Sequence, residues 1–94
     1  MSASTEFRFP CGDVVTTPGA DALLREHNVA PVRLLARHLS GDWGQVSADD
    51  AQANEAAVEN GNRILSSYPV GGQTVWLITE ADRSVTTFLL PGEY

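Results

Sequence analysis

Lysine is absent from this chain of 94 residues, and all six of its basic residues are arginine. Twelve acidic residues outnumber them, so the formal net charge is −6. Proteins that bind nucleic-acid phosphates without sequence preference need a basic surface, and this charge balance opposes membership of that class. We therefore expect no direct contact with nucleic acid.

Cysteine, histidine and long apolar runs are also scarce. Cys11 is the only cysteine, which excludes an internal disulfide and a multi-cysteine metal site. His27 and His38 do not have the spacing of a metal-binding pair, so we expect no metal and no cofactor. No apolar run approaches the roughly 20 residues of a membrane span, and the N-terminus lacks the basic-then-apolar pattern of a signal peptide. The expectation is a cytoplasmic protein that does not contact a membrane.

The composition is nevertheless that of a folded protein. Hydrophobic residues make up 43% of the chain and charged residues 19%, a balance that differs from that of disordered tails. The length suits one domain over residues 1–94. The small and polar segment Met1–Glu6 is expected to fray.

The first two thirds of the chain have the pattern of one short strand followed by three helices. Residues 13–17 are rich in β-branched side chains and predict a strand, and residues 20–27 predict a short helix. Pro31 is well placed to begin a second helix. Its apolar residues at helical spacing predict one buried face, formed by Val32, Leu35, Ala36 and Leu39. Ser47 and Gly61 bracket a third helix over residues 48–60.

The remaining chain alternates as a three-stranded meander. The predicted strands cover residues 63–68, 73–79 and 84–90, with turns at Pro69–Gly72 and Glu80–Arg83. The predicted fold class is therefore α+β, with an N-terminal short strand and two to three helices packed on a C-terminal antiparallel meander.

Several segments together resemble a known family. They are FPCGDVVTTPGA at residues 9–20, LARH at 35–38, GDWG at 41–44, NE at 54–55, SSY at 66–68, WLITEADRSVTT at 76–87 and LLPGEY at 89–94. This pattern resembles a family of small uncharacterised proteins carried on bacterial plasmids and other mobile elements. The resemblance implies a genomic setting and no particular reaction. Mobile-element products of this size often act on host defence, on plasmid maintenance or as toxins, which is an argument by association.

His38 is the first candidate for catalysis. With Asp42 nearby and Ser40, Ser66 or Ser67 available, a nucleophile–base–acid set can be written. The ordinary interpretation is that His38 ends a helix, where the helix dipole favours its charged form. No Gly-x-Ser-x-Gly elbow is present to support the catalytic interpretation.

A second catalytic hypothesis follows from the order of elements. Helices followed by an antiparallel meander are similar in outline to the small ribonuclease toxins of the RelE and barnase-like class. The residues that would act on the sheet are His38, Tyr68, Arg83 and Thr87. The acidic charge opposes this hypothesis, because an RNA substrate would be repelled.

The candidate partner-binding residues lie in a loop and on the third helix. Trp43, between two glycines, either closes the core or anchors a partner; the first is favoured because large aromatic side chains dominate small cores. The ordinary interpretation of the acidic candidates is a solvated face. The functional interpretation is a negative surface that would suit a basic partner, formed by Asp42, Asp49, Asp50, Glu55 and Glu59.

The sequence therefore leaves three functional hypotheses. The preferred one is a small acidic protein that binds a host or element-encoded protein, in its sharpest form an inhibitor of a nucleic-acid-handling defence complex of the anti-restriction or anti-CRISPR type. The alternatives are the ribonuclease toxin and a homo-oligomeric accessory module. In the last, the final strand over residues 84–90 is an unprotected edge that pairs with its copy.

Overall fold

The protein folds into a four-stranded sheet covered on one face by three helices. The computed structural model describes residues 7–94; Met1–Glu6, for which fraying is expected, lies outside the described residues. The elements in chain order are β1 (Asp13–Thr16), α1 (Pro18–Glu26), α2 (Pro31–Leu39), α3 (Ala48–Asn60), β2 (Ile64–Val70), β3 (Gln73–Thr79), β4 (Val85–Leu89) and a 3-10 turn at Pro91–Glu93. The predicted α+β class is confirmed.

The sheet has the strand order β1-β4-β3-β2. β2, β3 and β4 form the predicted antiparallel meander, whereas β1 pairs parallel with β4, so the sheet as a whole is mixed. A parallel pair requires a crossover connection, and here the chain from β1 to β4 passes through the three helices and then through β2 and β3. The prediction that the last strand is a free edge is wrong, because β1 covers that side of β4 in the register Asp13↔Val85 to Thr16↔Phe88.

The helix ends follow the capping residues. The Thr17 side chain accepts from the amide of Ala20 and Pro18 occupies the first turn, so α1 begins two residues before the predicted position. Ser47 accepts from the amide of Asp50 and Gly61 adopts a left-handed φ of 74°, which fixes α3 at its predicted bounds. None of the helices in residues 7–94 is long and apolar enough to cross a membrane.

Two clusters of buried side chains join the helices to one face of the sheet. The first unites α1 and α2 with the middle of the sheet and includes Leu24, Leu34, Tyr68, Leu77 and Phe88. The second lies beside α3 at the other end and consists of Phe9, Leu39, Trp43, Ala57 and Ile64.

The buried face of α2 differs from the predicted one. Leu34, His38 and Leu39 are buried, whereas Val32 is 67% exposed and Leu35 is only partly buried. The apolar periodicity missed this because a histidine occupies a core position. Helix α2 therefore leaves part of its apolar face uncovered.

Candidate functional site

His38 lies in the core and contacts two strands of the sheet. Its Nδ1 atom is 2.6 Å from the Ser66 hydroxyl and its Nε2 atom is 2.9 Å from the Thr79 hydroxyl. All three side chains are fully buried. Burial alone would make each of these polar groups costly, and the hydrogen bonds compensate for that cost.

The direction of these hydrogen bonds follows from Thr86, the last hydroxyl in the series that begins at His38 and continues through Thr79. Thr86 donates its hydroxyl proton to the carbonyl oxygen of Cys11 at 2.8 Å, and its oxygen lies 2.6 Å from that of Thr79. Thr79 must therefore donate to Thr86 and accept from Nε2–H of His38. Nδ1 of His38 is then the acceptor for Ser66. The tautomer of His38 that carries its proton on Nε2 therefore gives every polar side chain in this series a hydrogen-bond partner.

Burial lowers the pKa of His38 to about 4. The expectation of a charged histidine stabilised by the helix dipole is thus wrong, because loss of hydration outweighs the dipole at this depth. His38 is neutral at pH 7, and its role in the structure is to join α2 to β2 and β3.

The structure brings together only part of the nucleophile–base–acid set. Ser66 and His38 have the distance of a nucleophile and its base. The third group is the hydroxyl of Thr79 in place of an acid, since Asp42 binds Nε of Arg37 at 2.7 Å. Neither Ser66 nor His38 is exposed, so this arrangement offers no surface on which a substrate is held.

The other residues of the ribonuclease hypothesis do not join His38 at a shared surface. Tyr68 is buried, its hydroxyl donates to the carbonyl of Asp42, and burial raises its pKa to about 12. Thr87 alternates with the core residue Phe88 and points to the opposite face of the sheet.

Arg83, the remaining residue of the ribonuclease hypothesis, forms hydrogen bonds at the C-terminal end of α3. Its guanidinium donates to the carbonyl of Ala57 at 2.8 Å and to that of Asn62 at 2.7 Å. Carbonyls at a helix C-terminus lack partners within the helix, and a cation there also complements the dipole. The surroundings of Arg83 thus account for its position without a substrate.

Trp43 closes the second core cluster. It is 6% exposed, and its Nε1–H donates to Glu55 at 3.1 Å. Arg8 donates through both terminal nitrogens to the same carboxylate. The hydrogen bond from Arg8, and to a smaller extent that from Trp43, lowers the pKa of Glu55. As an anchor for a partner, Trp43 would have to leave this cluster.

The acidic candidates fall into two groups. Asp42 and Glu55 are paired with arginines, and the hydrogen bond from Arg37 lowers the pKa of Asp42. Asp49, Asp50 and Glu59 are exposed and form no salt bridge within the described part of the chain. Asp49 and Asp50 occupy the first turn of α3, where the helix dipole stabilises negative charge.

An apolar groove of about 700 Å³ separates α2 from the segment before β1. Its lining comes from residues 7–12 on one side and from α2 on the other, namely the exposed Val32, the partly buried Leu35 and Ala36, and the buried Leu39. Phe7 and Val32 are 57% and 67% exposed. Apolar patches that stay open in this way are typical of sites that bind another molecule.

Comparison of the chain with protein-family models, with curated proteins and with solved structures gives no match. The resemblance to mobile-element proteins thus stays a prediction. In residues 7–94, no group of three or more His, Cys, Asp or Glu side chains is arranged to hold a metal ion.

Sequence reasoning missed the groove because its two walls are distant in the chain. The signals for its parts were present: the alternation Phe7-Arg8-Phe9 and the apolar stripe of α2. Periodicity reports that a face is apolar and does not report which neighbour covers it.

Proposed function

We propose that this protein acts by binding another protein in the groove between α2 and residues 7–12. The observation that supports this proposal is the exposure of Phe7 and Val32 at a groove with an apolar lining. Removal of such a patch from water is the main source of free energy in most protein associations. The partner inserts an apolar side chain or a small apolar element there.

Charge indicates the chemistry of that partner. The net charge is −6, and Arg8, the arginine in the groove wall, has its charge balanced by Glu55. Glu59 also acts on Arg8. The pKa of Arg8 is raised mainly by the hydrogen bond that it donates to Glu55, and the negative charges of Glu55 and Glu59 raise it further. The net negative charge of the protein favours a partner that carries lysine or arginine around an apolar knob.

The finer role that we propose is inhibition of a nucleic-acid-handling defence complex of the host, of the anti-restriction or anti-CRISPR type. Proteins that handle nucleic acid carry basic surfaces because they bind phosphates. An acidic protein that binds such a surface would compete with the nucleic acid. The resemblance to proteins of mobile elements is consistent with this role.

The binding proposal is tested by cross-linking and co-purification of a tagged chain from producing cells. Val32→Asp places a charge in the groove, and Ala22→Asp places the same charge at an exposed position of α1. We expect the specific partner to be lost with Val32→Asp and retained with Ala22→Asp. Identical recovery with both variants would show that the groove is not the binding site.

The test of the inhibitor role uses the partner that co-purification recovers. The purified chain should reduce binding or cleavage of nucleic acid by that partner in proportion to its concentration, and Val32→Asp should not. A partner that has no contact with nucleic acid would make the inhibitor role wrong and leave the binding proposal standing.

A further inference from the structure

The two edge strands of the sheet, β1 and β2, differ in whether other residues bind the main-chain groups at their outer edges. At the β2 edge, the Asn54 side chain accepts from the amide of Leu65 at 3.2 Å and donates to its carbonyl at 2.8 Å. The amide of Ser67 donates to Trp43 and its carbonyl accepts from Gln45. Main-chain groups at this edge are therefore occupied, and another strand has little to bind.

Among residues 7–94, no such cover lies on the β1 edge. The amide of Asp13 donates to Ser84 and that of Thr17 donates to Phe88, so these residues turn their main chain toward β4. Because successive residues of a strand turn to opposite sides, the N–H and C=O groups of Val14 and Thr16 point away from the sheet. No strand lies beyond β1 in residues 7–94, and Val14 and Val15 are 44% and 46% exposed.

We propose that β1 pairs with β1 of a second copy of this chain. The pairing is antiparallel about a twofold axis at Val15, and it joins the two four-stranded sheets into one. This inference is independent of the proposed function, because it concerns the sheet edge and a partner of identical sequence.

The strand is complementary to itself in this register. Val14 lies opposite Thr16 of the second copy, so that the outward-pointing main-chain groups of each meet those of the other. Val15 lies opposite its own copy, where two exposed β-branched side chains pack together. Asp13, the charged residue of the strand, lies opposite Thr17, so the pairing brings no like charges face to face.

The short contact and the charge of the protein predict a weak, salt-dependent dimer. Two copies that each carry a net charge of −6 repel one another, and salt screens that repulsion. A four-residue strand also covers far less than the roughly 1,600 Å² of a standard interface. The dimer should therefore be populated at high protein concentration and should increase with ionic strength.

Disulfide trapping tests the register. In a Cys11→Ser background, Val15→Cys places two cysteines in a directly opposed pair about 4.5 Å apart at Cα, within disulfide range. Val14→Cys places its two cysteines about 8 Å apart, beyond that range. We expect oxidation to link the Val15→Cys chains and to leave the Val14→Cys chains monomeric. Equal linkage of both variants, or linkage of neither, would overturn the proposed pairing.

Sedimentation of variants without added cysteine provides the second measurement. Val15→Lys opposes two ammonium groups across the axis, whereas Val32→Lys makes the same change of charge at an exposed valine of α2. The dimer fraction should rise severalfold from low to high salt for the unchanged chain and for Val32→Lys, and should vanish for Val15→Lys. A monomer at all salt concentrations for the unchanged chain would overturn the proposal, whatever co-purification shows of the groove.

Discussion

A histidine that stays neutral in the core makes stability depend on pH. The pKa of His38 falls from 6.5 to about 4 through burial, so between these values the unfolded chain binds a proton that the folded chain does not. The contribution of His38 is complete above pH 6.5 and is lost as the pH falls toward 4, by about 3 kcal/mol in total. Urea denaturation at several pH values measures this slope.

His38→Gln is the control for that titration, because it keeps a polar side chain and removes the ionisable group. We expect its stability to fall less steeply than that of the unchanged chain over the same interval. Parallel slopes for the two proteins would mean that carboxylates, and not His38, cause the pH dependence.

Thr79 and Thr87 allow a buried hydroxyl of the sheet to be compared with a partly exposed one. Thr79→Val leaves Nε2–H of His38 without an acceptor and should cost about 1–3 kcal/mol. Thr87→Val makes the same change on the other face of the sheet, in a partly exposed side chain, and should stay within about 0.5 kcal/mol. Denaturant unfolding compares them. Equal losses would show that the hydroxyl chain does not stabilise the fold.

At the scale of single elements, Asn54 binds main-chain groups at the outer edge of β2. Asn54→Ala removes both hydrogen bonds to Leu65 and should cost about 1–3 kcal/mol, since the main-chain groups of Leu65 lose their partner. Asn60→Ala, in an exposed position of the same helix, corrects for helix propensity. Faster hydrogen exchange at the Leu65 amide in Asn54→Ala alone is the expected signature.

The elements that the sequence predicts correctly are those with local signals. Ser47 and Gly61 bound α3, and the alternation from Gln73 gives β3 at its observed limits. The turn before β3 is tighter than predicted. Gly71 and Gly72 both have positive φ and form the turn alone. Pro69 remains within β2, where its missing N–H lies on the outer edge.

The wrong predictions concern partners that lie far apart in the chain. No local signal indicates that β1 covers β4, so the sequence predicts β4 at an edge. The contact of His38 with Ser66 and Thr79 is equally non-local, and a histidine in an amphipathic pattern favours the polar face. The sequence contains separate signals for the two walls of the candidate groove. Only the fold shows that these walls lie side by side.

For the molecule as a whole, the position of the acids on α3 matters as well as their number. Asp49 and Glu59 lie about 15 Å apart along the helix axis, which exceeds the screening length of roughly 8 Å at physiological salt. Glu59 acts on Arg8 at the groove. A partner in the groove should therefore be influenced mainly by Glu59.

Charge reversal at these two positions tests that expectation with equal changes in net charge. Glu59→Lys should weaken partner binding more than Asp49→Lys, and the difference should shrink as salt is added. Glu59→Lys should raise the free energy of unfolding by about 0.5 kcal/mol, because the helix dipole favours a cation at the C-terminal end. Asp49→Lys should lower it by about the same amount, because the first turn favours an acid. Thermal unfolding thus verifies that Glu59→Lys is folded. Equal weakening of binding by both variants would indicate that the partner responds to total charge alone, and would contradict a particular influence of Glu59 at the groove.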